Sequence, residues 1–150
     1  MHLTRHSDYA LRILLQLAAR PDDRPSIAEI AAIHGISRNH LMKVVHELGK
    51  GGFIATMRGR GGGIALARPA ADIMVGEVVR FTEPSFQAAD CGSCVIAPAC
   101  GLTAILDEAM QAFLSVLDKY SIADAAKRPD RLSQLIQRLA ATAALADADQ

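Results

Sequence analysis

The sequence predicts a mainly α protein with a small β-hairpin wing: a winged helix-turn-helix unit followed by a long helix. Three observations predict it. Apolar residues recur at helical spacing in three segments before residue 51, glycines join two short β-type segments directly afterwards, and a long apolar stripe begins at Leu102. We expect a winged domain over residues 1–68, a linker, short helix and cysteine loop over 69–101, and a dimerisation helix and tail over 102–150.

The first fifty residues carry the signals of three helices. Residues 10–18 hold the apolar stripe of an amphipathic helix, which the prolines of "RPDDRP" end. A second helix starts after Ser26, because Glu29 follows at the capping-box spacing. Gly35 makes a turn, and Ser37 caps a third helix whose apolar face consists of Leu41, Val44, Val45 and Leu48. Two short helices about a glycine turn form the helix-turn-helix pattern.

A hairpin and a second helical region follow. "FIATMR" and "IALA" are strand candidates joined by "GRGGG", which predicts a wing. "IMVGEVVRFTEP" predicts a short helix halted by Pro84, and residues 85–101 a loop. The stripe from Leu102 to Tyr120 predicts a helix of about 28 Å, which needs a partner such as the same helix of a second copy. The Ala- and Asp-rich tail, residues 140–150, is expected to fray.

Charge is distributed unevenly along the chain. The formal net charge is zero, yet residues 1–68 hold ten Lys or Arg against five Asp or Glu, together with all five histidines. A basic half favours a polyanionic partner. No apolar run is long enough for a membrane span or a signal peptide, so we expect a cytoplasmic protein without a membrane partner. No nucleophile motif is present, and the sequence therefore favours a function other than catalysis.

The third helix and the hairpin carry the side chains that suit double-stranded DNA. Arginine matches the acceptors of guanine, asparagine matches adenine, and lysine and a helix N-terminus match phosphates. Arginines at a glycine-rich wing tip match the minor groove or the backbone. The sequence thus predicts a winged helix-turn-helix DNA-binding domain whose contact residues are Ser37, Arg38, Asn39, His40, Lys43, Arg58 and Arg60.

All three cysteines lie within ten residues, "CGSCVIAPAC", as Cys91, Cys94 and Cys100. In a reducing compartment such a cluster favours metal binding or redox chemistry over a disulfide framework. Iron–sulfur clusters and structural zinc both take four ligands, so a fourth ligand must come from elsewhere. Paired ligands at each end, typical of zinc, are lacking, which favours iron; zinc and three unliganded thiols remain the alternatives.

Three stretches together resemble a known family. "LTRHSDYALRILLQLA", "SRNHLMKVVHELGKGGFIATMRGRGGGIALARPA" and "GEVVRFTEP" with the cysteine loop follow one another as in the winged-helix iron–sulfur repressors. That family includes NsrR, IscR and RirA, and the chain is most similar to its nitric-oxide-sensing NsrR group. The resemblance covers about residues 1–125.

The resemblance implies a dimeric transcriptional repressor. It implies a homodimer with crossing long helices that binds a palindromic operator and takes nitric oxide as its signal. It also implies a cluster, [4Fe-4S] with [2Fe-2S] as the alternative, held by Cys91, Cys94 and Cys100 and by Asp8 from the partner's first helix. An aspartate in a first helical turn also simply complements the helix dipole.

The chain departs from the family at two places. Only Gly92 and Ser93 separate the first two cysteines, fewer residues than in NsrR-like proteins. Thr103 stands where IscR-like members have a ligating histidine, which argues against an IscR-type site. The alternatives are an iron-responsive or general redox-sensing iron–sulfur regulator, a zinc-stabilised DNA-binding protein, and a thiol-based redox enzyme.

Overall fold

A computed structural model describes residues 2–59 and 61–148. Helices α1 to α3 come first, then the strands β1 and β2, then helices α4 to α7, with single 3-10 turns at Ala70–Asp72 and Ala97–Ala99. Their bounds are α1 Arg5–Ala19, α2 Ile27–His34, α3 Arg38–Lys50, β1 Ile54–Met57, β2 Gly63–Leu66, α4 Val75–Thr82, α5 Leu102–Leu117, α6 Ile122–Ala125 and α7 Pro129–Ala148. The mainly helical fold with one β-hairpin is as predicted.

Local signals in the sequence account for the first three helices. The Thr4 hydroxyl caps α1 by accepting the Ser7 N–H. Ser26 and Glu29 form both hydrogen bonds of the capping box at the start of α2, and the Ser37 hydroxyl caps α3. Each cap satisfies a backbone donor that has no partner within its helix. The predicted helix-turn-helix is confirmed.

The two strands pair antiparallel, with Ile54 opposite Leu66 and Met57 opposite Gly63. Ile54 and Ile64 face inward, since their exposed fractions are 3% and 1%. Gly63 has to be glycine, because a Cβ there would lie 2.1 Å from the carbonyl oxygen of Arg24. The hairpin therefore docks closely on the segment that joins α1 to α2.

One apolar core joins the winged domain to the elements beyond residue 68. It contains the inner faces of α1 and α3 together with Ile73, Val78 and Ile122. Phe53 belongs to this core and makes an edge-to-face contact with Phe81, at 5.3 Å between ring centroids. Helices α4, α6 and α7 all pack on α1, so α1 is the central element of the fold.

The C-terminal part differs from two expectations. Helix α5 ends at Leu117, and with sixteen residues it is about 24 Å long rather than 28 Å, because a turn at Asp118–Lys119 precedes Tyr120. The prediction of a fraying tail is wrong for residues 140–148, which continue α7, a helix that packs on α1 and α2. Residues 149 and 150 lie outside the described part. None of the described helices is long and apolar enough to cross a membrane.

Candidate DNA-binding surface and cysteine loop

Helix α3 has one buried face and one exposed polar face. Leu41, Val44, Val45 and Leu48 are buried in the core. The exposed residues between and beside them are Arg38, Asn39, His40, Met42, Lys43 and His46. The predicted contact residues of this helix, together with its cap Ser37, therefore all face solvent, and the basic and amide groups share one side of the helix.

The turn before α3 fixes the direction in which that face points. Gly35 has the left-handed φ of 62° and its N–H donates to the carbonyls of Ala31 and Ala32. Ile36 directly after it is buried, with an exposed fraction of 7%. The Ser37 hydroxyl accepts the His40 N–H at 3.3 Å. Residues 37–40 are all exposed, and the N-terminus of a helix can bind an anion.

Of the two arginines predicted to contact DNA from the wing, Arg58 lies within the described residues. Arg58 is exposed directly after β1, next to a tip in which Gly59 and Gly61 have φ of 93° and 79°. Side chains rarely adopt such φ values, which explains the glycines. Arg60 lies outside the described residues, and its contact with DNA stays a prediction.

The cysteine loop follows α4 and is wound in successive tight turns. The Cys94 N–H donates to the Cys91 carbonyl at 3.4 Å, the Ala97 N–H to Cys94 at 3.1 Å, and the Cys100 N–H to Ala97 at 3.2 Å. All three cysteines are free thiols; Cys94 is exposed and the other two are half-buried. Between them, Val95 and Ile96 are exposed by 94% and 63%.

The donor set fits an iron–sulfur cluster in chemistry but is incomplete within one chain. Three accessible thiols are the ligands that iron–sulfur clusters use. Within residues 2–59 and 61–148, however, no three His, Cys, Asp or Glu side chains converge into a group that could hold a metal ion. Binding would therefore require the loop to close around the group and another segment to supply the fourth ligand.

Asp8 lies in the first turn of α1, half-buried and in an ion pair. Its two carboxylate oxygens accept from Arg12, at 2.9 Å from Nε and 2.7 Å from Nη2. Its side chain is 42% exposed, so a second copy of the chain has access to it. Its role as a ligand stays a prediction, and its ion pair with Arg12 would have to break before it could bind a metal.

A polar network that sequence reasoning missed ties the start of α1 to the end of α4. The Thr4 N–H and hydroxyl donate to Oε1 of Glu83 at 2.7 and 3.1 Å. The buried Thr82 hydroxyl donates to the Ser7 hydroxyl at 2.8 Å. The N-terminus of α1, close to Asp8, is thereby joined to the residue from which the cysteine loop departs.

Two histidines also connect elements. His6 Nε2 lies 2.6 Å from Glu47 Oε2 on α3, a close polar contact that does not meet hydrogen-bond geometry. His34 at the end of α2 contacts the buried Gln16 side chain, with 2.7 Å between Nε2 and Oε1. Burial, and then the positive charge of Arg12, lower the pKa of His34 below its ordinary value. Neither pairing has a signal in the sequence.

Fold and surface together define a winged helix-turn-helix transcriptional regulator. The chain belongs to the Rrf2 family, whose model, described as "Iron-dependent Transcriptional regulator", matches residues 3–128. This confirms the resemblance inferred from the sequence.

The chain is also similar to named members of that family. It is 47% identical over 143 residues to the HTH-type transcriptional regulator NsrR of Bacillus subtilis (strain 168), which covers 91% of this chain and 98% of that protein. The corresponding protein of Shouchella clausii (strain KSM-K16) is 44% identical over 143 residues, covering 91% and 96%. These names are those of transcriptional regulators and not of enzymes.

Solved structures share the fold. T. potens IscR has a TM-score of 0.70 at 25% identity, covering 85% of this chain and 87% of that one. CymR (YrzC), the global cysteine regulator of B. subtilis, has a TM-score of 0.67 at 24% identity, covering 85% and 97%, a likeness that shows the fold alone.

Proposed function

We propose that the chain is a cytoplasmic, homodimeric repressor that binds a palindromic operator and senses nitric oxide through an iron–sulfur cluster of the [4Fe-4S] type. The observation that carries the proposal is the loop of three free thiols, placed directly behind a winged helix-turn-helix unit. The 47% identity to a regulator named NsrR supports the choice of signal.

In this proposal α3 enters the major groove. Arg38 and Asn39, exposed in its first turn, read base edges, and His40 and Lys43 contact bases or phosphates beside them. The Ser37 cap leaves the N-terminal amides of α3 directed at a phosphate. Arg58 and Arg60 of the wing contact the minor groove or the backbone, which adds affinity without reading sequence in detail.

The dimer is supported by the uncovered face of α5. This helix buries only Met110 and Leu114 in its own chain. Leu102, Ile105 and Val116 are exposed by 53%, 63% and 50%, an apolar stripe that a second α5 would cover. Two recognition helices then need to lie about 34 Å apart to fit successive major grooves.

Cys91, Cys94 and Cys100 of one chain would hold the cluster together with Asp8 of a second copy. When bound, the cluster supplies iron that combines with nitric oxide. The contacts of the chain itself would transmit a change at the cluster to the DNA-binding helix. Glu83 holds Thr4 at the start of α1 beside the loop, and His6 joins α1 to Glu47 of α3, so a shift of the loop or of Asp8 reaches the recognition helix through α1.

The description of the family as iron-dependent favours a second candidate. In that candidate the same ligands hold the cluster, and loss of iron is the signal that changes DNA binding. The two candidates share the DNA-binding surface and differ only in the trigger.

One experiment tests the proposal and separates the candidates. The protein is purified without oxygen, its iron and sulfide are measured, and operator binding is followed during titration with nitric oxide or with an iron chelator. About four irons per chain, and release of DNA by nitric oxide, support the proposal. Release by chelator alone supports the iron-responsive candidate, and a colourless protein that contains zinc contradicts both.

A pair of substitutions tests Asp8. Asp8→Asn and Arg12→Gln both break the same ion pair, so a purely structural role makes their effects equal. If Asp8 is a ligand, Asp8→Asn loses iron, whereas Arg12→Gln keeps it because the carboxylate remains. Iron content measured under anaerobic conditions distinguishes the two roles, and equal iron in both variants would remove Asp8 from the site.

A further inference from the structure

We propose that Cys91 and Cys94 form a reversible disulfide when the metal-free chain meets a peroxide, and that Cys100 is left as a free thiol. The cysteine loop is then a modification site in its own right. The disulfide itself depends only on the loop, whereas its consequence for sensing rests on the function proposed above.

The backbone already places the two cysteines at disulfide distance. The Cys94 N–H donates to the Cys91 carbonyl, which makes residues 91–94 a β-turn. The end residues of a β-turn have Cα atoms less than about 7 Å apart, and bridged cysteines have Cα atoms at about 4.4–6.8 Å. Closing the bond therefore needs side-chain rotation and little backbone movement.

Cys100 is kept away by the next two turns. The hydrogen bonds from Ala97 to Cys94 and from Cys100 to Ala97 wind the chain in the 3-10 manner. A chain wound throughout in this manner rises by about 2 Å per residue, so six residues would span about 12 Å, beyond disulfide reach. The lack of a three-donor metal group in the described part of the chain agrees with this separation.

The surroundings of the turn leave room for the reaction. Cys94 is exposed, whereas Cys91 is half-buried and borders a small cavity at the start of α5 with Thr103 and Leu106. A Cβ added at Gly92 would meet nothing nearer than Asp90 Oδ1 at 3.7 Å, so the turn is not packed against the core. Peroxide consequently reaches Cys94 first.

The chemistry is that of a vicinal thiol pair. The Cys94 thiolate attacks one peroxide oxygen, the O–O bond breaks, and hydroxide leaves as water, which gives a sulfenic acid. The Cys91 thiolate then attacks Sγ of Cys94, the S–S bond forms, and the S–O bond breaks to release a second water. Two thiols lose two electrons and two hydrogens, and the peroxide becomes two waters. A thiol reductant reverses the step by exchange.

The disulfide would remove two of the three thiols proposed to hold the cluster. A chain that has lost its cluster under oxidative conditions would then stay without it until a reductant restores both thiols. The two-residue spacing, which departs from the NsrR-like pattern, thus gives this chain a property that wider spacing would not give so directly.

The test uses the reduced, metal-free full chain and hydrogen peroxide. Remaining thiols are alkylated with iodoacetamide, and mass spectrometry locates the label. We expect the loss of two hydrogens and a label on Cys100 alone. Cys100→Ser should form the disulfide at an unchanged rate, whereas Cys91→Ser and Cys94→Ser should form no disulfide within the chain. Circular dichroism checks that each variant remains folded.

The contrary results are equally specific. A label on all three cysteines, protection of Cys100, or a disulfide between two chains on a non-reducing gel would overturn the proposal. Neither iron nor DNA is present in the assay, so its outcome does not depend on the proposed sensing function. A second arm measures iron uptake by the oxidised chain: uptake without reductant would reject the ligand set while leaving the disulfide established.

Discussion

His34 shows how burial of one residue gives the fold a dependence on pH. Burial, then Arg12, lower the pKa of His34 below 6.5, while Asp8 raises it by a smaller amount. The unfolded state then binds more protons than the folded state near that pH, so stability rises with pH. We expect the free energy of unfolding to fall as the pH drops below 6.5, as measured by urea denaturation between about pH 7.5 and 5.5.

Matched variants identify the source of that dependence. His34→Gln removes the titrating ring while keeping a polar side chain near Gln16, so its stability should change less with pH than that of the unsubstituted chain. His46→Gln makes the same substitution at an exposed histidine of α3 and serves as the matched control. An equal loss of stability in His34→Gln on acidification would show that another group is responsible.

Arg38 and Lys43 are predicted to contribute to DNA binding in different ways. Arg38→Ala should reduce discrimination between operator and unrelated DNA by roughly 1–3 kcal/mol, because it removes a base contact. Lys43→Ala should weaken binding to both DNAs alike and reduce the salt slope by about one, because it removes a phosphate contact. Affinities measured over a range of salt concentrations check both; an equal loss on both DNAs in Arg38→Ala would reassign it to the backbone.

At the scale of the elements, the link between α1 and α4 carries a prediction of its own. Glu83 accepts two hydrogen bonds from Thr4 at the start of α1, and hydrogen bonds to a charged group are stronger than neutral ones. Glu83→Ala should cost about 1–3 kcal/mol of unfolding free energy, because it leaves donors at a helix start without a partner. Chemical denaturation measures this loss.

Glu77, on helix α4, provides the control. It pairs with Arg68 in a contact where both side chains are at least one third exposed, 33% and 44%. Such a surface pair contributes about 0–1 kcal/mol, so Glu77→Ala should change stability much less. Equal costs for the two variants would mean that the α1–α4 link is no more than a surface contact.

The elements that the sequence predicted correctly are those specified by neighbours in the chain. Ser26, Ser37 and Gly35 act within four residues of their own position, and the apolar stripe of α3 is readable at a spacing of three and four. The sequence did not predict that α7 continues through residues 140–148. The C-terminal half of this helix is alanine-rich, so its faces differ little, and its partners α1 and α2 lie about a hundred residues away in the chain.

The candidate site likewise has features that follow from residues close together in the chain and features that depend on distant contacts. The three thiols and the polar face of α3 can be read from residue type and spacing, because each depends only on residues that are close together in the chain. The contacts that join them, Thr4 with Glu83 and His6 with Glu47, link residues 79 and 41 positions apart, and only the folded chain brings them together. Asp8 was proposed from family resemblance, because its spacing alone does not distinguish a ligand from a helix-dipole carboxylate.

At the scale of the whole molecule, the exposed stripe of α5 makes dimerisation testable without the operator or the cluster. Ile105 is 63% exposed within one chain, so a charge there costs little in the isolated fold but a great deal in an apolar interface. Ile105→Asp should give a folded monomer by light scattering and circular dichroism.

Loss of the dimer should weaken operator binding far more than binding to unrelated DNA, because a monomer engages one half-site of a palindrome. Gln111→Asp places the same charge at an exposed polar position of α5, about 120° around the helix from Ile105, and should remain dimeric with full affinity. A dimeric Ile105→Asp protein would show that α5 is not the interface. A monomeric variant with undiminished operator affinity would instead show that the DNA is read one half-site at a time, and the coupling from the cysteine loop to α3 would then have to act within a single chain.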